Sequence, residues 1–519
     1  MIYSLKKAIL TFFSFVLIAN VSAQQNSQIW SKVANDLSTQ LHKVDIDLPA
    51  NKEIYTLNTT ALRNVLVNAP LRGQSEGVSN VILSFPVTNG ATEQFRILEA
   101  PVMHPDLAAK YPGIKSYVGK GIDDPSATIR FSLSNEKGLS SMILSGTKNT
   151  LFIAPYTSDL SNYVVYERKN TENRQHIFEC LTEDLPYEFK KNIANYANKD
   201  ANDQTLRTFR LAMSGTAEYT AYHGGTKAAA LAAMNTTMTR VNGLYENDFA
   251  ITMILISNND DVIYTDAASD PYTNNLNSEL QTTLTSVITE ANYDIGHLVH
   301  QENNSNGNAG CIGCICVDGQ KGSAFTSHIT PVGDDFDIDF VAHEMGHQFG
   351  GNHTHTHSGS SEGSGAQMEP GSGSTIMGYA GITGATSDVQ PHSDDYFHVF
   401  NIQQITNYVA STNCQTTTTL TNSVPTADAG NDYTIPKGTA FVLEGAGSDA
   451  DVGDVLTYCW EQADVGFDAS NGVTATSTTS PNFRSFPPTT SPNRYLPELS
   501  TVVNGNLSTT WETVSNVAR

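Results

Sequence analysis

The sequence predicts three folded regions in series: a strand-rich N-terminal region, an α/β centre and a C-terminal β-sandwich module. Three observations carry that expectation. At 519 residues the chain exceeds one compact core, and roughly two to four domains are expected. Short β-prone runs separated by Gly, Asn, Asp and Pro turns fill residues 24–190, and near Arg207 they give way to strands alternating with helix-period stretches. A Thr-rich stretch, Gln415–Pro425, then sets off a final region of short strands and Gly/Asp turns.

The N-terminus comes first in order. Lys6 and Lys7 precede the mostly apolar run Ala8–Ala19, and Val21-Ser22-Ala23 offers small residues for cleavage before Gln24. This is the layout of a secretory signal peptide at residues 1–23, and the run is short for a bilayer span. An exported protein with no membrane anchor is expected. Residues 24–205 read as a strand-rich domain with β runs such as Val81–Phe85, Thr128–Ser132 and Thr150–Ala154. It ends in the polar stretch Lys191–Thr205, an exposed connector suited to proteolytic nicking.

In the centre, 206–415, Thr208–Met213 and Ile251–Ile256 read as strands, and Gly322–Ser327 as a short edge strand. Helical periodicity covers Thr226–Tyr245, Ser278–Ala291, Asp337–Phe349 and Phe400–Ala410. Residues 416–424 are a Thr-rich linker. In 425–519, Asp432–Ile435, Ala440–Leu443 and Leu456–Trp460 predict strands of an immunoglobulin- or PKD-like β-sandwich. The last residues, Asn516–Arg519, add no closing element, as in a module cut short.

Charge narrows the classes of partner. With 29 basic and 53 acidic residues the formal charge is −24, which argues against nucleic acid and against anionic membranes. The six cysteines, Cys180, Cys311, Cys314, Cys316, Cys414 and Cys459, are disulfide candidates first in an exported chain. Cys311, Cys314, Cys316 and Cys414 could form two bridges tying a loop to a C-terminal helix. Cys180 and Cys459 each stand alone in their own segments.

The chemistry concentrates in one string, His343-Glu-Met-Gly-His347-Gln-Phe-Gly350-Gly-Asn-His353. Histidines four apart on a helix share a face and can present ring nitrogens to one metal ion. Glu344 points near the same site, placed as general base for a water. Gly350 and Gly351 can stop the helix and turn the chain so that His353 returns as third ligand. Three neutral imidazoles leave a zinc ion's fourth position open, the arrangement of catalytic rather than structural sites.

Ser374-Thr-Ile-Met377-Gly-Tyr379 follows. Together with the longer motif it resembles the Met-turn of the metzincin clan of zinc peptidases. Within the clan the chain most resembles reprolysin-like (adamalysin-type) peptidases, notably secreted bacterial members, over about residues 207–415. The resemblance rests on Glu218-Tyr-Thr, Tyr222-His-Gly-Gly, Asn292-Tyr-Asp-Ile-Gly-His297, Phe336–His343 and His392–His398. It implies a metzincin catalytic domain with a twisted mixed sheet, zinc on His343, His347 and His353, and Glu344 as base. Met377 becomes the apolar floor, with Tyr379 beside it near the substrate. A structural Ca2+ site involving Glu218 and backbone near Cys414 is also implied. One position departs: Thr354 stands where vertebrate-type members place Asp directly after the third histidine.

The remaining groups have plainer readings. His355 and His357 read as solvated in a loop, His392 and His398 as pocket-wall or structural residues, and Asp334–Asp339 as charges favourable at a helix N-terminus. Residues 24–205 resemble the propeptide of the bacterial enzymes, especially Tyr111–Ile114 and Gly121–Phe131. Cys180 is then a candidate thiolate ligand that keeps a zymogen latent. The expectation is a secreted zinc endopeptidase acting on protein or peptide substrates, with the substrate strand lying along Gly322–Ser327. The alternative is a secreted adhesion or binding protein whose zinc site is non-proteolytic or narrow in specificity.

Overall fold

The computed structural model describes residues 29–33, 48–49, 51–73, 79–168, 178–185, 201–357, 365–466 and 472–519. The expected signal peptide, most of the connector and the far end of the His355–His357 loop lie outside the described residues.

The N-terminal region is β-rich, as its turn-punctuated runs predict. Its described strands are β1 (Trp30–Lys32), β2 (Glu53–Leu57), β3 (Ile82–Pro86), β4 (Thr92–Glu99), β5 (Lys115–Gly121), β6 (Thr128–Ser134), β7 (Gly138–Leu144), β8 (Leu151–Pro155) and β9 (Asn162–Glu167). They form one sheet in the order β1-β2-β9-β8-β7-β6-β5-β4-β3, with antiparallel neighbours throughout. Side chains alternate across a strand, so each face has its own core. Ile153 and Val165 join Phe85, Phe95 and Phe131 on one face, whereas Phe152, Val164 and Tyr166 face the long central helix on the other. Both faces are covered in the middle of the sheet, so β6, β7, β8 and β9 are buried along nearly their whole length.

A second sheet carries β10 (Phe178–Cys180), β11 (Thr205–Gly215), β12 (Ile251–Leu255), β13 (Ile295–Gln301), β14 (Ser305–Asn308), β15 (Ala324–His328) and β16 (Thr416–Thr419). The order is β10-β14-β15-β13-β11-β12, with β16 on β11. β11, β12, β13 and β15 pair in parallel, whereas β14 is antiparallel to β15. The sheet is therefore mixed. Two expectations need correcting. The stretch expected as an edge strand, Gly322–Ser327, is shifted to β15 and lies inside the sheet between β13 and β14. The supposed linker 416–424 begins as β16, whose threonines pair antiparallel with Thr205–Thr208, as their β-branched side chains favour.

The helices follow the periodicity. Among the described residues they are α1 (Thr59–Leu66), α2 (Pro105–Lys110), α3 (Ala217–Tyr222), α4 (Lys227–Phe249), α5 (Leu276–Thr283), α6 (His343–Gln348), α7 (Val399–Val409) and α8 (Leu499–Val503). Thr226 caps α4 by accepting from Ala229 N. α4 is buried almost all round, because it is sandwiched between the two sheets. Its Arg240 and Thr237 grip Asp337 at 2.7 and 2.6 Å, and Tyr245 Oη donates to Ala342 O at 2.9 Å. These bonds fix the wide helical turns Asp335–Ala342 that lead into α6. No helix among the described residues is long and apolar enough to cross a membrane.

The two bridges are Cys311–Cys314 and Cys316–Cys414, the second tying the β14–β15 connection to the end of α7. Cys180 and Cys459 are unbridged. Among the described residues of 425–519 there are two two-stranded sheets, Thr426–Asp428 with Ala446–Ser448 and Phe441–Glu444 with Asn493–Leu496. A closed sandwich is not among them: Asp432–Ile435 is irregular, and Leu456–Trp460 gives one isolated bridge at Tyr458. This segment docks on the α/β region through Ser374 Oγ to Ser485 O at 3.2 Å and Tyr396 Oη to Phe486 O at 3.1 Å.

Candidate active site

α6 places His343 and His347 one turn apart, and its end is bolted to the sheet. Gln348 donates to Gly296 O at 2.9 Å and meets His297 Nδ1 at 3.0 Å. Gly350, at φ +104°, takes the left-handed turn that the sequence assigns it. Gly351 N then donates to Gly346 O, and the chain doubles back to His353. The three Nε2 atoms converge with separations of 3.2, 3.2 and 3.0 Å.

The outer nitrogens set the tautomers. His343 Nδ1 donates to Ile376 O and His347 Nδ1 to Gly351 O, each at 2.7 Å. Both rings thus turn lone pairs inward. His353 Nδ1 lies 3.2 Å from Asp184 Oδ1, whose same oxygen accepts from His353 N at 3.0 Å. Lone pairs aimed at one point repel unless a cation sits among them. A tetrahedral zinc with bonds of about 2.0 Å spaces its ligand nitrogens about 3.3 Å apart. The residues present therefore fit that ion.

Cys180 belongs to the same cluster. Its Sγ lies 3.6 Å from His347 Nε2, and the four potential ligand atoms all fall within 4.8 Å of one another. The backbone brings it there: β10 pairs in parallel with β14, Cys180 opposite Gly307, and Leu181 N donates to Gly307 O at 2.8 Å. Phe178 stacks on Phe340 with ring centroids 3.9 Å apart. Residues 178–185 thus fill the cleft and cover the edge of the sheet at β14.

Glu344 is fully buried beside the histidines. Thr182 Oγ1 donates to its Oε2 at 3.1 Å. Gly307 is tightly constrained, because a Cβ there would collide with the Glu344 carboxylate. Burial lifts the Glu344 carboxyl to about 7. Burial, then the Glu344 charge, lifts the Cys180 thiol to about 11. Burial and the neighbouring imidazoles hold His347 well below its usual range. A divalent cation at the centre inverts that logic, favouring thiolate, carboxylate and neutral imidazole together.

Met377 is buried beneath α6, where a Cβ on Gly346 would come within 2.5 Å of its Sδ. Tyr379 packs its ring 4.6 Å from His353 and 6.0 Å from His343. Glu369, which sequence reasoning did not single out, partners Thr354. It accepts from Thr354 Oγ1 at 2.6 Å, Thr375 Oγ1 at 2.5 Å and Ser374 N at 2.9 Å. It ties the third-histidine loop to the turn around Met377.

One plainer reading changes. His355 is buried and stacked on Tyr379 at 4.1 Å, not solvated. His398 is a buried cap of α7 facing Glu461, and His392 faces Asp339. The run Asp334–Asp339 opens the helical turns Asp335–Ala342, with Asp335 and Asp337 in the first turn as expected, and its carboxylates are also paired. Asp337 pairs with Arg240, and Asp334 and Asp339 pair with Arg168. Glu218 joins neither group of described residues close enough to share an ion, and the expected calcium site is not supported.

Residues 205–409 match the model of the metallopeptidase family M12B, reprolysin-like. That segment belongs to this family, and the chain carries a zinc metallopeptidase domain. No curated protein matches the chain.

Proposed function

We propose that the chain is a secreted zinc endopeptidase made as a latent precursor, with residues 24–205 as propeptide and 206–415 as catalytic domain. The observation that carries this reading is the convergence of His343, His347, His353 and Cys180 beneath a segment that fills the cleft. Export through residues 1–23 agrees with the two disulfides, which persist in oxidising compartments.

His343, His347 and His353 would hold zinc, and Cys180 would complete the set in the precursor. When bound, zinc supplies Lewis-acid chemistry, acidifying a water and polarising the scissile carbonyl. Glu344 takes the proton of the attacking water and delivers it to the leaving amine nitrogen. Its burial beside Gly307 keeps that carboxylate at one place and excludes bulk water. Met377 and Glu369 hold the histidine loop rigid. Once residues 178–185 leave, β14 offers free backbone groups to an extended peptide, in place of the inner strand expected to do so.

Glu344→Gln tests the assignment. Peptide cleavage should fall by about 10²–10⁴, with zinc content by elemental analysis unchanged. Cleavage at the wild-type rate would overturn it. Adhesion without proteolysis is disfavoured by the buried Glu344, since a structural zinc site has no use for a base.

A further inference from the structure

Arg168 follows β9 and is almost fully buried, yet it belongs to the segment read as propeptide. Its guanidinium reaches three carboxylates of the catalytic domain. Nη2 lies 2.6 Å from Asp339 Oδ1, Nε lies 3.2 Å from Asp334 Oδ2, and Nη1 pairs with Asp395. Asp339 also accepts from Ser393 N at 3.0 Å and faces His392 Nδ1 at 3.2 Å.

The position of Asp339 gives this cluster a meaning beyond anchoring. It stands four residues before His343, one helical turn or about 6 Å along the axis. Together with His343, Cys180, Tyr379 and Ser393 it lines a small cavity opening at the histidine cluster, with Phe178 also in its wall. Asp339 is thus shared: it lines this cavity, and its carboxylate is held by the guanidinium of Arg168 from the segment read as propeptide.

We infer that this pocket is the specificity site of the mature enzyme and that it selects substrates with a basic side chain, Arg above Lys, next to the scissile bond. The inference rests on the peptidase and propeptide reading above. Departure of the propeptide removes Arg168 and Phe178 together. Asp334, Asp339 and Asp395 are then left sharing a partly desolvated pocket without the guanidinium that neutralised them, an unfavourable state for buried charge. A substrate arginine restores the pairing. Three carboxylates around one planar fork suit guanidinium better than ammonium, because its donors are fixed in direction. The propeptide accordingly holds the pocket as a substrate would, with Arg168 as a mimic.

The test starts from the full chain, activated by limited proteolysis within 186–204 and freed of its pro-segment. Fluorogenic peptides differ only at the two positions flanking the scissile bond, carrying Arg, Lys, Leu or Glu. At one of those positions kcat/KM should be at least about tenfold higher for Arg than for Leu, with Lys between and Glu lowest. Asp339→Asn and Asp395→Asn should each compress the Arg/Leu ratio about tenfold. As a readout without turnover, the activated Glu344→Gln enzyme should bind the Arg peptide about tenfold more tightly than the Leu peptide by calorimetry. Chelator-sensitive cleavage that favours Leu, or an Arg/Leu ratio unmoved in both variants, would overturn the specificity claim alone. If neither variant folds, the wild-type ratio decides. Absence of any peptide cleavage would sink the peptidase reading and this inference with it.

Discussion

At the scale of single residues, the site depends on groups that hold other groups. Glu344 is useful because Gly307 leaves room for its carboxylate and Thr182 meets it from the cleft segment. The three imidazoles are useful because carbonyls at Ile376 and Gly351 fix two of their tautomers. Glu369 makes the same point with a measurable consequence. It satisfies two hydroxyls and a backbone N–H in a fully buried setting. Glu369→Ala strands these donors, and unmade buried bonds to a charged group cost about 1–3 kcal/mol or more. Urea unfolding should show a loss of about 2–4 kcal/mol; a midpoint shifted by no more than a surface substitution would contradict this role.

Among the elements, the feature that matters most is the strap from β14 through Cys311–Cys316 to the end of α7. The Cys316–Cys414 bridge closes a stretch of 98 residues that contains α6 and the Met377 turn. Loop-closure reasoning assigns such a bridge about 4–5 kcal/mol. Replacing both cysteines by serine should lower thermal stability by about that amount, read by calorimetry, and an unchanged melting temperature would refute the assignment. The elements also show where sequence reasoning reaches. The α6 motif, its glycine turn and Met377 were legible because each needs particular residue types at fixed spacing. β14 was missed because Ser305-Asn-Gly-Asn308 has no β-branched residue, so only its pairing with β10 and β15 makes it a strand. β16 was hidden for the opposite reason: a run of threonines reads as linker until a partner strand is present. Arg168 was invisible because its partners lie far away in sequence and only the fold brings them together, and Glu369 because its nearby partners Thr354, Ser374 and Thr375 follow no motif spacing.

For the whole molecule, the arrangement is one of a catalytic domain enclosed by its neighbours. The N-terminal sheet packs α4 from outside, and residues 178–185 thread the cleft. The same segment supplies Cys180 to the histidines, Asp184 to His353 and Phe178 to the adjacent cavity. Latency under this reading is distributed, but the thiol is the direct ligand. A Cys180→Ala full-length precursor should therefore show peptidase activity at least about tenfold above the wild-type precursor before any processing, because a soft thiolate is lost from the zinc. Equal latency in the two precursors would reject the thiol latch and leave steric blockage by β10 as the inhibitory device.

The most direct test of the central claim is casein cleavage by the activated chain, followed through chelation and metal return. Cleavage should stop when a zinc chelator removes one ion per chain and resume on adding back one equivalent of zinc. Cleavage indifferent to the chelator, or a zinc-loaded chain that cleaves nothing, would contradict it.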